Sequence, residues 1–167
     1  GETREEIMQT ARHVAELLNA LVSLKLVEKH GEVYHLSPSA SPFLKRSSPT
    51  CLLDALRFNA DLYQLWGRLG TCVKEGKPVL PPTAHLGEDP ARTRRFALGM
   101  HSRALAMAPV LIPSIDLKGC AALLDVGAGP GTFSRALAEK YPKLKVTLFD
   151  LAPVLDIARE LTRETPV

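Results

Sequence analysis

The residues best suited to chemistry in this chain lie in Leu123-Leu124-Asp125-Val126-Gly127-Ala128-Gly129-Pro130-Gly131, with Asp150 further downstream. Glycines directly after a buried strand let the backbone turn tightly and let a ligand lie against the main chain. An acidic residue ending the next strand is placed to accept hydrogen bonds from ribose hydroxyls. Asp150 falls about 20 residues on, where the dinucleotide rule puts it. The glycine spacing departs from the dinucleotide fingerprint, because the sixth position of G-x-G-x-x-G is Thr132. A pyrophosphate site needs that late glycine for close helix packing; an adenosyl ligand without phosphates does not. An NAD-dependent enzyme is therefore disfavoured. The same residues also fit a tight strand-to-helix turn without a nucleotide, and Asp150 fits a cap on the turn that follows it.

Elements with the right grammar must hold these residues. Ala122 to Val126, apolar except for Asp125, predicts a strand buried on both faces. Thr132 to Lys140 predicts a helix, Lys145 to Phe149 a second strand and Pro153 to Thr162 a second helix, which together make a parallel α/β unit. Upstream, Thr3 with Glu6 forms a capping box that starts a short helix at Arg4. Val14, Leu17, Leu18, Leu21 and Val22 have helical spacing and predict a second helix. Leu26 to Glu28 and Val33 to Leu36 flank Lys29-His30-Gly31-Glu32 and predict a hairpin. Helix, helix, hairpin is the order of a winged helix. Ser37 to Pro49 reads as a connection. Pro49, capped by Ser48, starts a helix whose apolar positions Leu52, Leu53, Leu56, Leu62, Leu65, Trp66, Leu69 and Val73 recur at three and four. Gly76 stops it. The segment 77–86, with Pro78, Pro81 and Pro82, marks a boundary. Asp89-Pro90 restarts a helix with Phe96, Met100 and Leu105 on an apolar face, and Pro109 ends or kinks it. The domains read as 1–86, 87–115 and 116–167.

Composition sets the bounds. The chain has 167 residues, 46% hydrophobic and 23% charged, enough apolar content for a core. Lys plus Arg exceed Asp plus Glu by 21 − 18, a net +3, which by itself implies no nucleic-acid partner. The longest apolar run, Ala104 to Ile112, contains Pro109 and is too short to span a bilayer. With no visible secretory signal, the expected location is cytoplasmic and no membrane partner is expected. Cys51, Cys72 and Cys120 are odd in number and widely spaced, against a disulfide framework or cysteine zinc site; Cys120 reads as a small buried apolar residue. His13, His30, His35, His85 and His101 show no metal spacing. Arg92, Arg94 and Arg95 read as a solvated face. Phe96 and Met100, one helical turn apart, fit plain core as well as a pocket wall. The chain opens on Gly1-Glu2 rather than Met and stops at Pro166-Val167 just past a predicted helix, so both ends read as cut.

The motif Asp125-Val126-Gly127-Ala128-Gly129-Pro130-Gly131 with Phe149-Asp150 resembles motifs one and two of class I S-adenosylmethionine-dependent methyltransferases. Phe96, Met100, His101-Ser102, Leu123-Leu124-Asp125-Val126-Gly127, Tyr141-Pro142 and Phe149-Asp150-Leu151 narrow the resemblance further. They resemble the small-molecule O-methyltransferases with an N-terminal winged-helix dimerisation domain, the group of caffeate, acetylserotonin and bacterial polyketide enzymes. Thr3 to Leu44 resembles the winged-helix part, and Trp66 with Gly76-Lys77-Pro78 the linker. The resemblance implies a winged-helix-like domain followed by the first two β-α units of a Rossmann-like methyltransferase domain. It implies S-adenosyl-L-methionine as cofactor, with Asp125, Gly127, Ala128, Gly129, Gly131, Asp150 and Leu151 around it. Gly127, Ala128 and Gly129 would lie under the methionine moiety, Asp150 at the ribose and Leu151 at the adenine. Phe96 and Met100 would line the acceptor pocket, and Ser102 would approach the cofactor. A homodimer through the N-terminal domain is also implied. Two departures stand out. Ala128 replaces a glycine common in relatives. The family's catalytic His, its remaining strands and the acidic residue that closes on adenine fall past Val167, so this chain alone is expected to be inactive.

The leading expectation is methyl transfer to a hydroxyl of a small aromatic or polyketide-like acceptor. The alternative is a winged-helix transcription regulator with a ligand-sensing α/β domain. Its reading helix, roughly Ala11 to Ser23, offers Arg12, His13, Asn19 and Ser23 but also Glu16, and a DNA-reading helix usually brings more positive charge.

Overall fold

The computed structural model describes residues 4–80 and 89–164; Thr3 of the expected capping box, His85 and most of the proline-rich boundary, including Pro81, Pro82 and the 86/87 division, lie outside the described residues. The chain forms two compact units that divide between Ser48 and Pro49.

In the first unit, one helix, α1 (Arg4–Ser23), replaces the two expected. No Gly or Pro interrupts that stretch, so nothing in the sequence forces a break. The helix closes on Lys25, whose φ of 59° is left-handed without a glycine. The amide of Leu26 then reaches the carbonyl of Leu21 at 3.0 Å and that of Lys25 reaches Val22 at 2.9 Å, which satisfies the last helical carbonyls. β1 (Val27–His30) and β2 (Val33–Leu36) form the expected antiparallel hairpin around Gly31, at φ 61°. Ser37 is buried. Its hydroxyl donates to the Lys25 carbonyl at 2.8 Å and accepts from the Ala40 amide at 3.2 Å, and this starts a single helical turn, α2 (Ser41–Leu44), inside the expected connection. Much of the apolar surface of this unit stays uncovered, with Leu17 62% and Leu24 67% exposed.

The second unit begins with α3 (Leu53–Trp66) and α4 (Leu69–Glu75) in place of one helix from Pro49. The break falls at Gly67-Arg68, where glycine makes helix interior costly by about 1 kcal/mol relative to alanine. Gly76 ends α4 at φ 64°, as expected. α5 (Pro90–Leu111) starts as expected: the Asp89 carboxylate accepts from the amides of Ala91 at 2.9 Å and Arg92 at 3.1 Å. Pro109, which has no amide to donate to the Leu105 carbonyl, falls in the last turn, and the helix ends close after it at Leu111, tightening into a 3-10 turn, Ile112–Ser114. By length and composition Pro90–Ser114 could cross a membrane, but here it is the helix against which α3 packs, as do α6 (Thr132–Lys140) and α7 (Ala152–Glu164). Gly99 lets α3 approach, since a Cβ there would stand 3.1 Å from the Phe58 Cβ. Arg94 and Arg95 were expected on a solvated face; although half-exposed, they pair with Glu160 at 2.6 Å and Asp61 at 2.8 Å and so tie α5 to α7 and α3.

β3 (Ala122–Val126) and β4 (Lys145–Phe149) pair in parallel, Val126 opposite Phe149. The expectation of burial on both faces fails. Leu123, Asp125, Val146 and Leu148 are half-buried, whereas Leu124, Val126 and Phe149 are 61%, 69% and 65% exposed. The described helices cover alternate residues of this two-stranded sheet and leave the others bare. Cys120, expected to be buried, is exposed. The core beneath gathers Ala108, Ile112 and Leu137 with Phe133, Leu123 and Tyr141. Tyr141 donates its hydroxyl to the Ile115 carbonyl at 2.9 Å, and Lys140 Nζ donates to the same carbonyl at 2.8 Å. These bonds fix the segment that leads into β3.

Candidate functional site

The β3–α6 loop is shaped by three glycines in the left-handed region: Gly127 at φ 71°, Gly129 at 56° and Gly131 at 70°. They do not serve alike. A Cβ on Gly131 would stand 2.5 Å from Leu148 Cδ1, whereas one on Gly127 or Gly129 would meet nothing within 4 Å. Gly131 packs the loop against β4, while Gly127 and Gly129 leave bare main chain facing open space. The loop is then stitched to the end of β4. The Gly127 amide donates to the Phe149 carbonyl at 2.8 Å and the Gly129 amide to Asp150 Oδ2 at 2.6 Å. Asp150 Oδ1 accepts from the Leu151 amide at 2.7 Å. Each carboxylate oxygen therefore keeps a lone pair for a further donor.

A cavity of about 570 Å³ opens between this loop and α5, within the range of small-molecule sites. Of the residues expected at the site, Phe96, Met100, Gly127, Ala128, Gly129 and Asp150 line it together. The others stand behind or beside it. Asp125 accepts from the buried Ser134 hydroxyl at 2.6 Å and so locks β3 to α6. Gly131 caps α6, and Leu151 is exposed outside the cavity wall. Ser102, expected near the cofactor, is buried off the lining, and its hydroxyl has no hydrogen-bond partner among the described residues. Phe96 serves both readings offered for it: it packs edge-on against Phe58, centroids 5.3 Å apart, while also lining the cavity.

Sequence reasoning missed Arg103, Ala104, Met107, Thr132, Phe133 and Val154, which with Pro130 of the loop complete the lining. Helical spacing from Phe96 and Met100 pointed to Arg103 and Met107, since all four lie along one stripe of α5. It also missed the bond between His101 Nδ1 and Thr132 Oγ1, at 2.7 Å, which joins α5 to the first residue of α6. Burial holds the His101 pKa below its ordinary value; the Arg135 charge adds to this and Asp54 opposes it. A neutral ring can accept the threonine proton at Nδ1.

A family model described as an O-methyltransferase domain matches residues 66–166. The chain is 30% identical to the N,N-dimethyltransferase OxyT of Streptomyces rimosus over 97% of its own length and 51% of OxyT. It is 26% identical to acetylserotonin O-methyltransferase of Macaca mulatta, covering 92% of this chain and 49% of that enzyme. The crystal structure of human N-acetylserotonin methyltransferase with S-adenosylmethionine superposes with a TM-score of 0.77 at 26% identity, over 90% of this chain and 48% of the other. The structure of LaPhzM shares the fold, with a TM-score of 0.81 at 19% identity over 94% of this chain and 49% of that one. The chain thus spans about half the length of the relatives it matches.

Proposed function

Since this chain belongs to the O-methyltransferase domain family, we propose that it holds S-adenosylmethionine for methyl transfer to a hydroxyl of a small aromatic or polyketide-like acceptor. The observation that carries this reading is the loop itself: bare main chain at Gly127 and Gly129 faces the cavity beside the Asp150 carboxylate. These residues fit the cofactor. An amino acid joined to the nucleoside through a sulfonium needs no phosphate nest, and the free lone pairs of Asp150 suit vicinal ribose hydroxyls. Held by the loop and Asp150, the cofactor would supply an electrophilic sulfonium methyl for transfer to the acceptor oxygen.

The chain's own part is positioning. The loop and Asp150 hold one reactant, and Phe96 and Met100 present an apolar wall to the other. Holding two reactants in line supplies much of the acceleration in such chemistry. Among the described residues no histidine lines the cavity. The base that takes the hydroxyl proton lies, in this reading, in the part of the family sequence that the chain does not span, and the chain alone does not turn over. The N-terminal segment is a winged-helix-like dimerisation element. What supports this is α1 with its hairpin and the uncovered Leu17 and Leu24, which a second copy would bury. Sedimentation is expected to give a dimer at tens of micromolar, and a clean monomer would remove that part.

Calorimetry with S-adenosylhomocysteine tests the site. Asp150→Ala is expected to weaken binding about ten- to a hundredfold, the loss of hydrogen bonds to a charged group. Unchanged affinity would exclude Asp150 from the ligand.

A further inference from the structure

The arginines of α5 are not equivalent. Arg94 and Arg95 are each matched to a carboxylate on a neighbouring helix. Arg103, half-buried in the cavity wall, is matched to none among the described residues. Its Nη2 donates to the neutral amide oxygen of Asn59 on α3 at 2.6 Å, and its Nη1 lies 3.9 Å from the Met100 sulfur. A guanidinium carries five N–H donors in a rigid fork that suits a planar anion. Here Asn59 fixes the fork and leaves most of its donors unspent.

The charge also stands where it can read a ligand. Arg103 and Asp150 are the charged residues of the described lining, on opposite structural supports. Asp150 is tied to the glycine loop, whereas both hydrogen-bond partners of Arg103 lie on α3 and α5. The rest of the helix wall, Phe96, Met100, Ala104 and Met107, is apolar. In an apolar surround a charged donor discriminates strongly, because an acceptor that cannot engage it leaves the charge desolvated and uncompensated.

We propose that Arg103 selects acceptors that carry an anionic oxygen, a carboxylate or an ionised hydroxyl conjugated to an aromatic ring, held by the guanidinium against the Met100–Met107 wall. This deepens the proposed function and rests on its placing of the acceptor in this cavity. The cofactor's own carboxylate shares the chemistry; the partners of Arg103 on α3 and α5, not on the loop, favour the acceptor.

The test is calorimetry on the whole chain and on Arg103→Gln and Arg103→Lys, with two probes of one shape, 2-naphthoate and neutral 2-naphthalenemethanol. The parent chain is expected to prefer naphthoate by about ten- to a hundredfold, the range of a charge-assisted hydrogen bond. The Gln variant is expected to lose that preference without losing the alcohol, and the Lys variant to keep part of it. No preference in the parent, or a preference that survives in Arg103→Gln, overturns the proposal. S-Adenosylhomocysteine and 5′-methylthioadenosine, which lacks the amino-acid carboxylate, form the second arm. If Arg103→Gln weakens only the former and spares naphthoate, the arginine serves the cofactor and the proposal fails. If the parent chain prefers naphthoate but binds neither nucleoside, the anion site stands and the methyl-transfer reading falls.

Discussion

The two walls of the cavity are built by opposite means. The loop wall is main chain, its shape set by left-handed glycines and its edge pinned by Asp150. The helix wall is side chain, a stripe of α5 backed by α3 through Phe58 against Gly99 and Phe96. A wall of backbone fails when a conformation is forbidden; a wall of side chains fails when volume or charge is removed.

That contrast predicts how each breaks. The largest loss is expected on the helix wall. Phe58 is 6% exposed, and Phe58→Ala should cost about 3–5 kcal/mol through the cavity it leaves, read as a shifted denaturant midpoint. On the loop wall, Gly131→Ala should cost about 1–3 kcal/mol, because it combines a φ of 70° with displacement of Leu148. Gly129→Ala separates backbone strain from ligand approach. With open space around its Cβ it should cost only about 1–2 kcal/mol of left-handed strain, yet abolish S-adenosylhomocysteine binding by standing in the ligand's place. A large stability loss with binding retained would make the loop a mere turn.

The smallest effect concerns the bond that joins the two walls. The folded pKa of His101 lies below 6.5, with burial the main cause. The unfolded chain therefore takes up a proton that the folded chain resists as the pH drops. The stability from this site is whole above 6.5 and declines as the pH falls toward the folded pKa. Melting curves from about pH 7.5 down to about pH 5, a range that brackets the ordinary histidine pKa, should show a shallower acid limb in His101→Gln than in the parent. Identical limbs would mean that His101 titrates as it does in the unfolded chain.

Legibility followed the same divide. Asp89-Pro90 and Gly76 announced helix ends because capping and left-handed closure demand particular residues. Gly127, Gly129 and Asp150 announced the loop wall for the same reason. The helix wall is half-legible: Phe96 and Met100 are named and their helical spacing reaches Arg103, but a helix accepts almost any side chain, so nothing in the arginine itself marks it as part of the wall. Lys25 in a left-handed closure was invisible, since most such positions take glycine. The α3–α4 break was hidden by an apolar stripe that runs through Gly67 unchanged. Apolar content in β3 stated what the strand favours as neighbours; it could not state what covers it.

The bare side of the β3–β4 pair bears on time as well as space. The described ladder is a single row of parallel bonds, and on the side of Leu124, Val126 and Phe149 it lacks packing to keep water away. Strands held this way open locally at low free energy. Amides of β3 and of the loop that follows it should therefore exchange deuterium sooner than those in the middle of α5. A ligand bridging Gly129 and Asp150 would tie the strand ends together and slow that exchange, so the site would gain its rigidity on occupancy.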